Sequence, residues 1–298
     1  MLDCIIIGGG PSGLNASLVL ARAKRRIALF DEDKPRNAVT LESHGFITRD
    51  GIEPSEFKRI AREDLSKYSN LTFHNQRVVE VKKESKSFSV YTEKGEVYKS
   101  RKVIFSTGLK DELPAIDGIH DFYGKSLFSC PFCDGWELKD LPLVLITDNP
   151  SGFHKTKLIF NWSKDLIVCT NGKKVFTAEQ QELFEKNKIE IIEEQIVSLQ
   201  GDDGQLKSIR FQNGKVIERR GGFVSVGLKQ ASLIPEALGC RKHENSGIEI
   251  DHFGRTNIEG VYVSGDVSLA APSQVIVAAA EGTKAAMGVI NDLVREDF

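Results

Sequence analysis

The sequence predicts an α/β protein made of two Rossmann-like nucleotide-binding domains of three-layer ββα type, the second inserted into the first. Three observations carry this. The chain opens with an apolar strand, a glycine-rich turn and a helix (Leu2 to Ile7, Gly8 to Gly13, Leu14 to Ala23), the order in which a dinucleotide-binding unit begins. A second strand, turn, helix and strand, from Leu141 to Cys169, repeats that outline in mid-chain. Near the end, Gly260 to Asp266 is a strand that closes on Gly-Asp and leads into a long alanine-rich helix, so the first domain resumes there. The expected boundaries are 1–112 with 246–298 for the first domain and 113–245 for the insert, and 298 residues are enough for two cores.

Bulk composition narrows the function classes. Apolar residues make up 40% and charged residues 28%, the balance of a soluble globular chain. A formal net charge of -2 leaves no basic excess for tracking phosphates, so no nucleic-acid partner is expected. No apolar run reaches the roughly 20 residues of a membrane span. The N-terminus lacks the basic segment and cleavage site of a signal peptide. Five cysteines are few for a disulfide-built secreted scaffold, and the expectation is a cytoplasmic protein whose thiols stay available for chemistry.

In the first domain, Gly8, Gly10 and Gly13, with Pro11 and Ser12 between them, let the backbone and a helix N-terminus approach a pyrophosphate. Ile27 to Phe30 is the second strand, and Asp31 directly behind it is placed to hold an adenosine ribose. The polar loop that follows carries Asn37 and His44 as candidates to line the cofactor, His44 near its reactive ring. Ser55 to Tyr68 has helical periodicity. Leu71 to His74, Val78 to Lys82, Phe88 to Thr92 and Val97 to Lys99 read as a small antiparallel layer. Arg101 to Phe105 is a further strand ending in Ser106-Thr107-Gly108, which returns Thr107 and Gly108 to the cofactor.

The insert begins at a Pro- and Gly-rich crossing, Leu113 to Ile119, and then presents Cys130-Pro131-Phe132-Cys133-Asp134. A Cys-x-x-Cys pair suits half of a zinc site, a disulfide staple or a redox dithiol. Cys4, Cys169 and Cys240 stand singly with no histidine at ligand spacing, so no metal is expected, and the dinucleotide site supplies the electron carrier that the redox reading needs. After Leu141 to Thr147 a second glycine fingerprint is due, but Asp148-Asn149-Pro150-Ser151-Gly152 holds one glycine. Asp148 also puts negative charge where a pyrophosphate would rest. Thr177 with Gln180 forms a capping box for a helix to about Lys186, and Asn213-Gly214 marks a tight hairpin. In the return segment, Gly247 to Asp251 and Phe253 to Thr256 read as a hairpin. Gly265 and Asp266 face the cofactor's ribitol or pyrophosphate. Ser273 and Gln274 open the last helix, either as its cap or with its N-terminal amides toward the polar edge of the ring.

Over essentially its whole length the chain resembles the low-molecular-weight thioredoxin reductase family of flavoproteins, on GGGPSG at 8 to 13, STG at 106 to 108, CPFCDG at 130 to 135 and SGDV at 264 to 267. The resemblance implies FAD as cofactor and a homodimer whose domains rotate between flavin reduction and dithiol exchange. It implies that Cys133 faces the flavin, that Cys130 attacks the disulfide of a thioredoxin-like protein or small molecule, and that Asp134 serves as acid and base. NADPH is the family's donor, yet the second fingerprint is degenerate and the family's His-Arg-Arg cluster is replaced by Thr170-Asn171-Gly172, which leaves NADPH uncertain here. The segment HGFITRDG at 44 to 51 and the WELKD after the cysteines are similar to gliotoxin-type FAD-dependent dithiol oxidases, which close disulfides and pass the electrons to oxygen. That branch commonly has His where this chain has Asp134. Relatives that draw on ferredoxin or a flavin donor lack NADPH motifs as well.

Overall fold

The computed structural model describes residues 1–270 and 272–298. The chain divides into two compact units, one of Met1–Ala38, Gly45–Lys110 and Leu228–Phe298, the other of Val39–His44 and Asp111–Gly227. They are called unit 1 and unit 2 below.

Unit 1 begins with β1 (Leu2–Ile7), α1 (Pro11–Arg22), β2 (Ile27–Asp31), α2 (Pro54–Ser66), β3 (Leu71–Asn75), β4 (Val78–Lys83), β5 (Phe88–Thr92) and β6 (Val97–Phe105). β1 lies inside the sheet, parallel to β2 on one side and β6 on the other. Both of its faces are covered, which is why an unbroken Cys4-Ile5-Ile6-Ile7 run can form it. The sheet order is β3-β2-β1-β6-β5-β4, with β4 and β5 antiparallel. The two segments expected at 97–99 and 101–105 are one continuous strand. Its first half, exposed or half-buried before Ser100, pairs with β5, and its end, buried from Lys102 to Phe105, pairs with parallel neighbours.

The chain enters unit 2 along β7 (Leu109–Glu112) and continues through α3 (Ile119–Phe122), β8 (Leu127–Phe128), α4 (Pro131–Asp134), β9 (Leu143–Ile146), α5 (Gly152–Ile159), β10 (Leu166–Cys169), α6 (Ala178–Lys186), β11 (Glu190–Ile192), β12 (Ile196–Asp202), β13 (Gln205–Phe211), β14 (Val216–Glu218) and β15 (Gly221–Val224). Five of these strands form a parallel sheet in the order β11-β10-β9-β15-β8, and β12, β13 and β14 form an antiparallel one. The hairpin at Asn213-Gly214 is present, with Gly214 at φ +88°. The capping box is also formed: Gln180 N–H donates to Thr177 Oγ1 (3.3 Å) and Thr177 N–H to Gln180 Oε1 (3.1 Å). Thr177→Ala is expected to lower stability by about 1 kcal/mol, read as a fall in the urea midpoint at unchanged slope.

The return passes through β16 (Gly227–Gln230), which pairs with β7, then α7 (Ile234–Ala237), β17 (Val261–Val263) and α8 (Val275–Asp297). β17 adds to unit 1 beside the second half of β6. Residues 228–245, grouped with the insert in the sequence reading, pack in unit 1. Ile234, Leu238 and Cys240 complete the core face made by Val78, Val81 and Phe88, and Gln230 Nε2 donates to Val267 C=O at 2.9 Å. The hairpin expected at 247–256 is not built of strands. The Asp251 carboxylate accepts the N–H groups of Phe253 and Arg255 (2.8 and 2.9 Å) and closes a turn instead, with single bridges Lys242 to Ile248 and Arg255 to Tyr262. Among the described residues no helix is long and apolar enough to cross a membrane.

Candidate active site

In unit 2, α4 is one helical turn. Cys130 precedes it in extended backbone, and Pro131, with its φ already suited, takes the first helical position. The N–H groups of Cys133 and Asp134 both donate to Cys130 C=O at 3.2 Å, which turns the two sulfurs to one another. Cys130 and Cys133 are joined as a disulfide with Cα atoms 5.3 Å apart. Gly135 ends the turn against Trp162: a Cβ there would lie 2.4 Å from Pro131 C=O and 2.7 Å from the indole. Phe132, between the cysteines, is 61% exposed, whereas Asp134 is 9% exposed. Burial, reinforced by Glu137 and opposed by His44, pushes the Asp134 carboxyl up to about 7. Cys4, Cys169 and Cys240 are buried free thiols whose burial raises them further from reactivity, Cys169 to about 12. No group of three or more metal-ligating side chains is assembled among the described residues.

In unit 1 the glycine turn is held by close packing. Gly8, at φ +107°, would place a Cβ 2.2 Å from Ser106 C=O, and a Cβ on Gly13 would stand 1.9 Å from Gly8 C=O. Gly10, by contrast, faces open space, and α1, which starts at Pro11, has no side-chain cap on its N-terminus. Ser12 Oγ donates to Ser264 Oγ (2.7 Å), which also meets Ser106 Oγ (3.0 Å), so three cofactor-motif segments are tied by hydroxyls. The Thr107 hydroxyl beside Gly108 is buried with no partner among the described residues. Gly265 has φ +69°, and Asp266 Oδ2 pairs with Arg36 Nη1 at 3.2 Å. Asp31 is held by Lys58 and, at 3.1 Å, by Arg62. Asn37 lies in the 3₁₀ turn Arg36–Val39. Gln274 stands at the N-cap of α8 next to Ser273 and makes no side-chain cap bond. His44 is in unit 2, its Nε2 3.5 Å from Glu42 and 3.6 Å from Glu137.

Residues 2–282 match the pyridine nucleotide-disulphide oxidoreductase family. The chain belongs to that family. It is similar over all of its length to the crystal structure of a Bacillus anthracis protein assigned as a thioredoxin reductase, TrxB, at 44% identity and TM-score 0.96, covering 100% of that chain. HlmI is 32% identical with TM-score 0.94, covering 99% of this chain and 93% of that one. The thioredoxin reductase aclD of Aspergillus oryzae is 28% identical over 311 residues, 100% of this chain and 98% of its own. The protein is therefore a thioredoxin reductase-like, FAD-dependent thiol-disulfide oxidoreductase.

Unit 1 fits FAD. Gly10 leaves room at an uncapped helix N-terminus, where a pyrophosphate is favoured. Arg36 brings a cation and Asp266 an acceptor to the same region, and the orphaned Thr107 hydroxyl has a hydrogen bond to give. Arg36 lies in the polar loop expected to line the cofactor, and its pairing with Asp266 carries no sequence signal because the two are 230 residues apart.

Unit 2 does not fit a nicotinamide dinucleotide in the same way. At the corresponding turn, Pro150 has no N–H, Ser151 N–H donates to Asn149 Oδ1 (3.1 Å), Gly152 N–H to Asn149 C=O (3.1 Å) and Phe153 N–H to Pro150 C=O (3.2 Å). Lys173 Nζ meets Asp148 Oδ2 at 2.6 Å, joining the two loops that would flank a bound nucleotide. Lys155, on the first turns of α5, donates to Val224 C=O (3.2 Å), and burial pushes it down to about 8. The buried, unpartnered Ser225 hydroxyl is a single donor, too little for a pyrophosphate that needs several. The missing glycines were visible in the sequence; the internal satisfaction of the turn was not.

Proposed function

We propose that Cys130 and Cys133 pass two electrons between the FAD of unit 1 and a thioredoxin-like protein or small disulfide, and that unit 2 supplies the reactive pair without binding NADPH. The observation that supports this is the self-satisfied first turn of α5, set against the open turn of α1. FAD, when bound, supplies the two-electron store. A thiolate of an external dithiol attacks Cys130 and forms a mixed disulfide as the Cys130–Cys133 bond breaks, leaving Cys133 a thiolate. The second external thiolate then displaces Cys130, releasing the oxidised substrate. The pair has gained two electrons, two thiol protons have been released, and Asp134, next to Cys133 and poised near neutrality, takes up one of them. The same steps reversed reduce an external disulfide. A cytoplasmic homodimer belongs to this reading on the likeness to thioredoxin reductases; neither a nucleic acid nor a membrane does.

A second reading is favoured by the same turn. A pair that is not refilled from NADPH runs from dithiol to flavin, with oxygen taking the electrons at the end, as a dithiol oxidase does. Anaerobic titration separates these outcomes. Reduced dithiothreitol is expected to bleach the flavin and air to restore it with peroxide formed, while NADPH and NADH leave the spectrum unchanged. Stoichiometric bleaching by NADPH would overturn the reading of unit 2.

A further inference from the structure

The second strand of unit 1 ends on an acid that is gripped by one of its oxygens. Asp31 closes β2, and α2 brings Lys58 and, one turn on, Arg62 to it. Lys58 is 9% exposed, a degree of burial that a lysine reaches only when its charge is matched. Its Nζ pairs with Asp31 Oδ2 and, at 2.5 Å, with Oδ1 of Asp33, a residue held at φ +61°. Arg62 Nη2 meets the same Asp31 Oδ2 at 3.1 Å. The glycine turn packs on that oxygen as well, since a Cβ on Gly9 would lie 2.5 Å from it. Asp31 Oδ1, by contrast, has no partner among the described residues, and the side chain keeps 11% of its surface exposed.

We propose that Lys58 and Arg62 are positioning residues for the adenosine end of FAD: by fixing Asp31 Oδ2 against the glycine turn, they present Oδ1 as the acceptor for a ribose hydroxyl. Two physical needs are met at once. A carboxylate free to rotate loses conformational freedom when a ligand binds it, whereas one whose first oxygen is already tied loses little. The second need is electrostatic. A pyrophosphate at the N-terminus of α1 is itself an anion, and bare carboxylates on Asp31 and Asp33 would repel it. Two acids and two bases cancel here, so the acceptor is retained without its net charge. The grip serves cofactor binding in either direction of electron flow.

The test is calorimetric titration of the full-length chain, freed of flavin, with FAD and with an FAD analogue built on 2′,3′-dideoxyadenosine, which has no ribose hydroxyls. The unaltered protein should prefer FAD by about tenfold or more, the size expected for one hydrogen bond to a charged acceptor. In Lys58→Met both ligands should bind more weakly, because the charge balance is lost, and FAD should lose about tenfold more than the analogue, so that the preference nearly disappears. A preference unchanged in Lys58→Met overturns the proposal, since a lysine that only steadies the fold or only balances charge weakens both ligands alike. Equal binding of the two ligands by the unaltered protein overturns it as well. If Lys58→Met does not fold, Arg62→Met decides, its side chain being 36% exposed against 11% for Lys58: its preference must fall by about threefold, or the proposal fails.

Discussion

Cys133→Ser is expected to give a folded, yellow protein in which exchange between dithiol and flavin falls at least about a thousandfold, because the two sulfurs act as one unit and neither can complete the transfer alone. The remaining Cys130 should still react with an external disulfide and stop at a mixed disulfide that mass spectrometry detects. Cys130→Ser should lose both the exchange and the trapped adduct. The disulfide bridging them makes this asymmetry checkable, since both cysteines are half-buried rather than sealed in a core. Exchange at the unaltered rate in either variant would remove the pair from the chemistry.

Gly13→Ala should be the most damaging single methyl in unit 1. The new Cβ would stand 1.9 Å from the Gly8 carbonyl oxygen, a backbone atom that no rotamer change moves, and Gly8 is itself held at φ +107° against Ser106. The turn must open. A cost toward the upper end of the range for overpacking, about 3 kcal/mol, is expected, with loss of bound FAD. Flavin absorbance per chain and the thermal midpoint measure the two parts. Gly10→Ala is the control, because a Cβ at Gly10 meets nothing within 4 Å among the described residues and would trouble only the cofactor. Full flavin and an unchanged midpoint in Gly13→Ala would contradict this account of the fingerprint.

What the sequence disclosed, and what it hid, follows from the range of the interactions. The Gly8 to Gly13 turn, the Thr177–Gln180 box, the Asn213-Gly214 hairpin and the Cys130-x-x-Cys133 pair are local patterns, and all four are present in the structure. The resumption of unit 1 at Leu228 was not legible, because the apolar residues Ile234, Leu238 and Cys240 choose between two cores only when both exist. The Arg36–Asp266 pair spans 230 residues, and His44 meets Glu137 across nearly a hundred positions with no spacing rule to announce it. The segment around Asp251 alternated like a hairpin, yet its carboxylate offered the backbone a turn in place of a partner strand.

The segment Val39–His44, a strap that packs in unit 2, bears on how modular this architecture is. Cutting the chain at 110/111 and 227/228 excises only residues 111–227, and Val39–His44 would remain behind in the host. The covalent path crosses from one unit to the other at four points: 38/39, 44/45, 110/111 and 227/228. A graft of residues 111–227 onto another flavin-binding scaffold would therefore arrive with its disulfide and its acid, and without the strap that packs on Gly124. Transplanted redox units of this kind should recover the packing of Val39 on Gly124 only when the host loop is rewritten to carry the missing six residues.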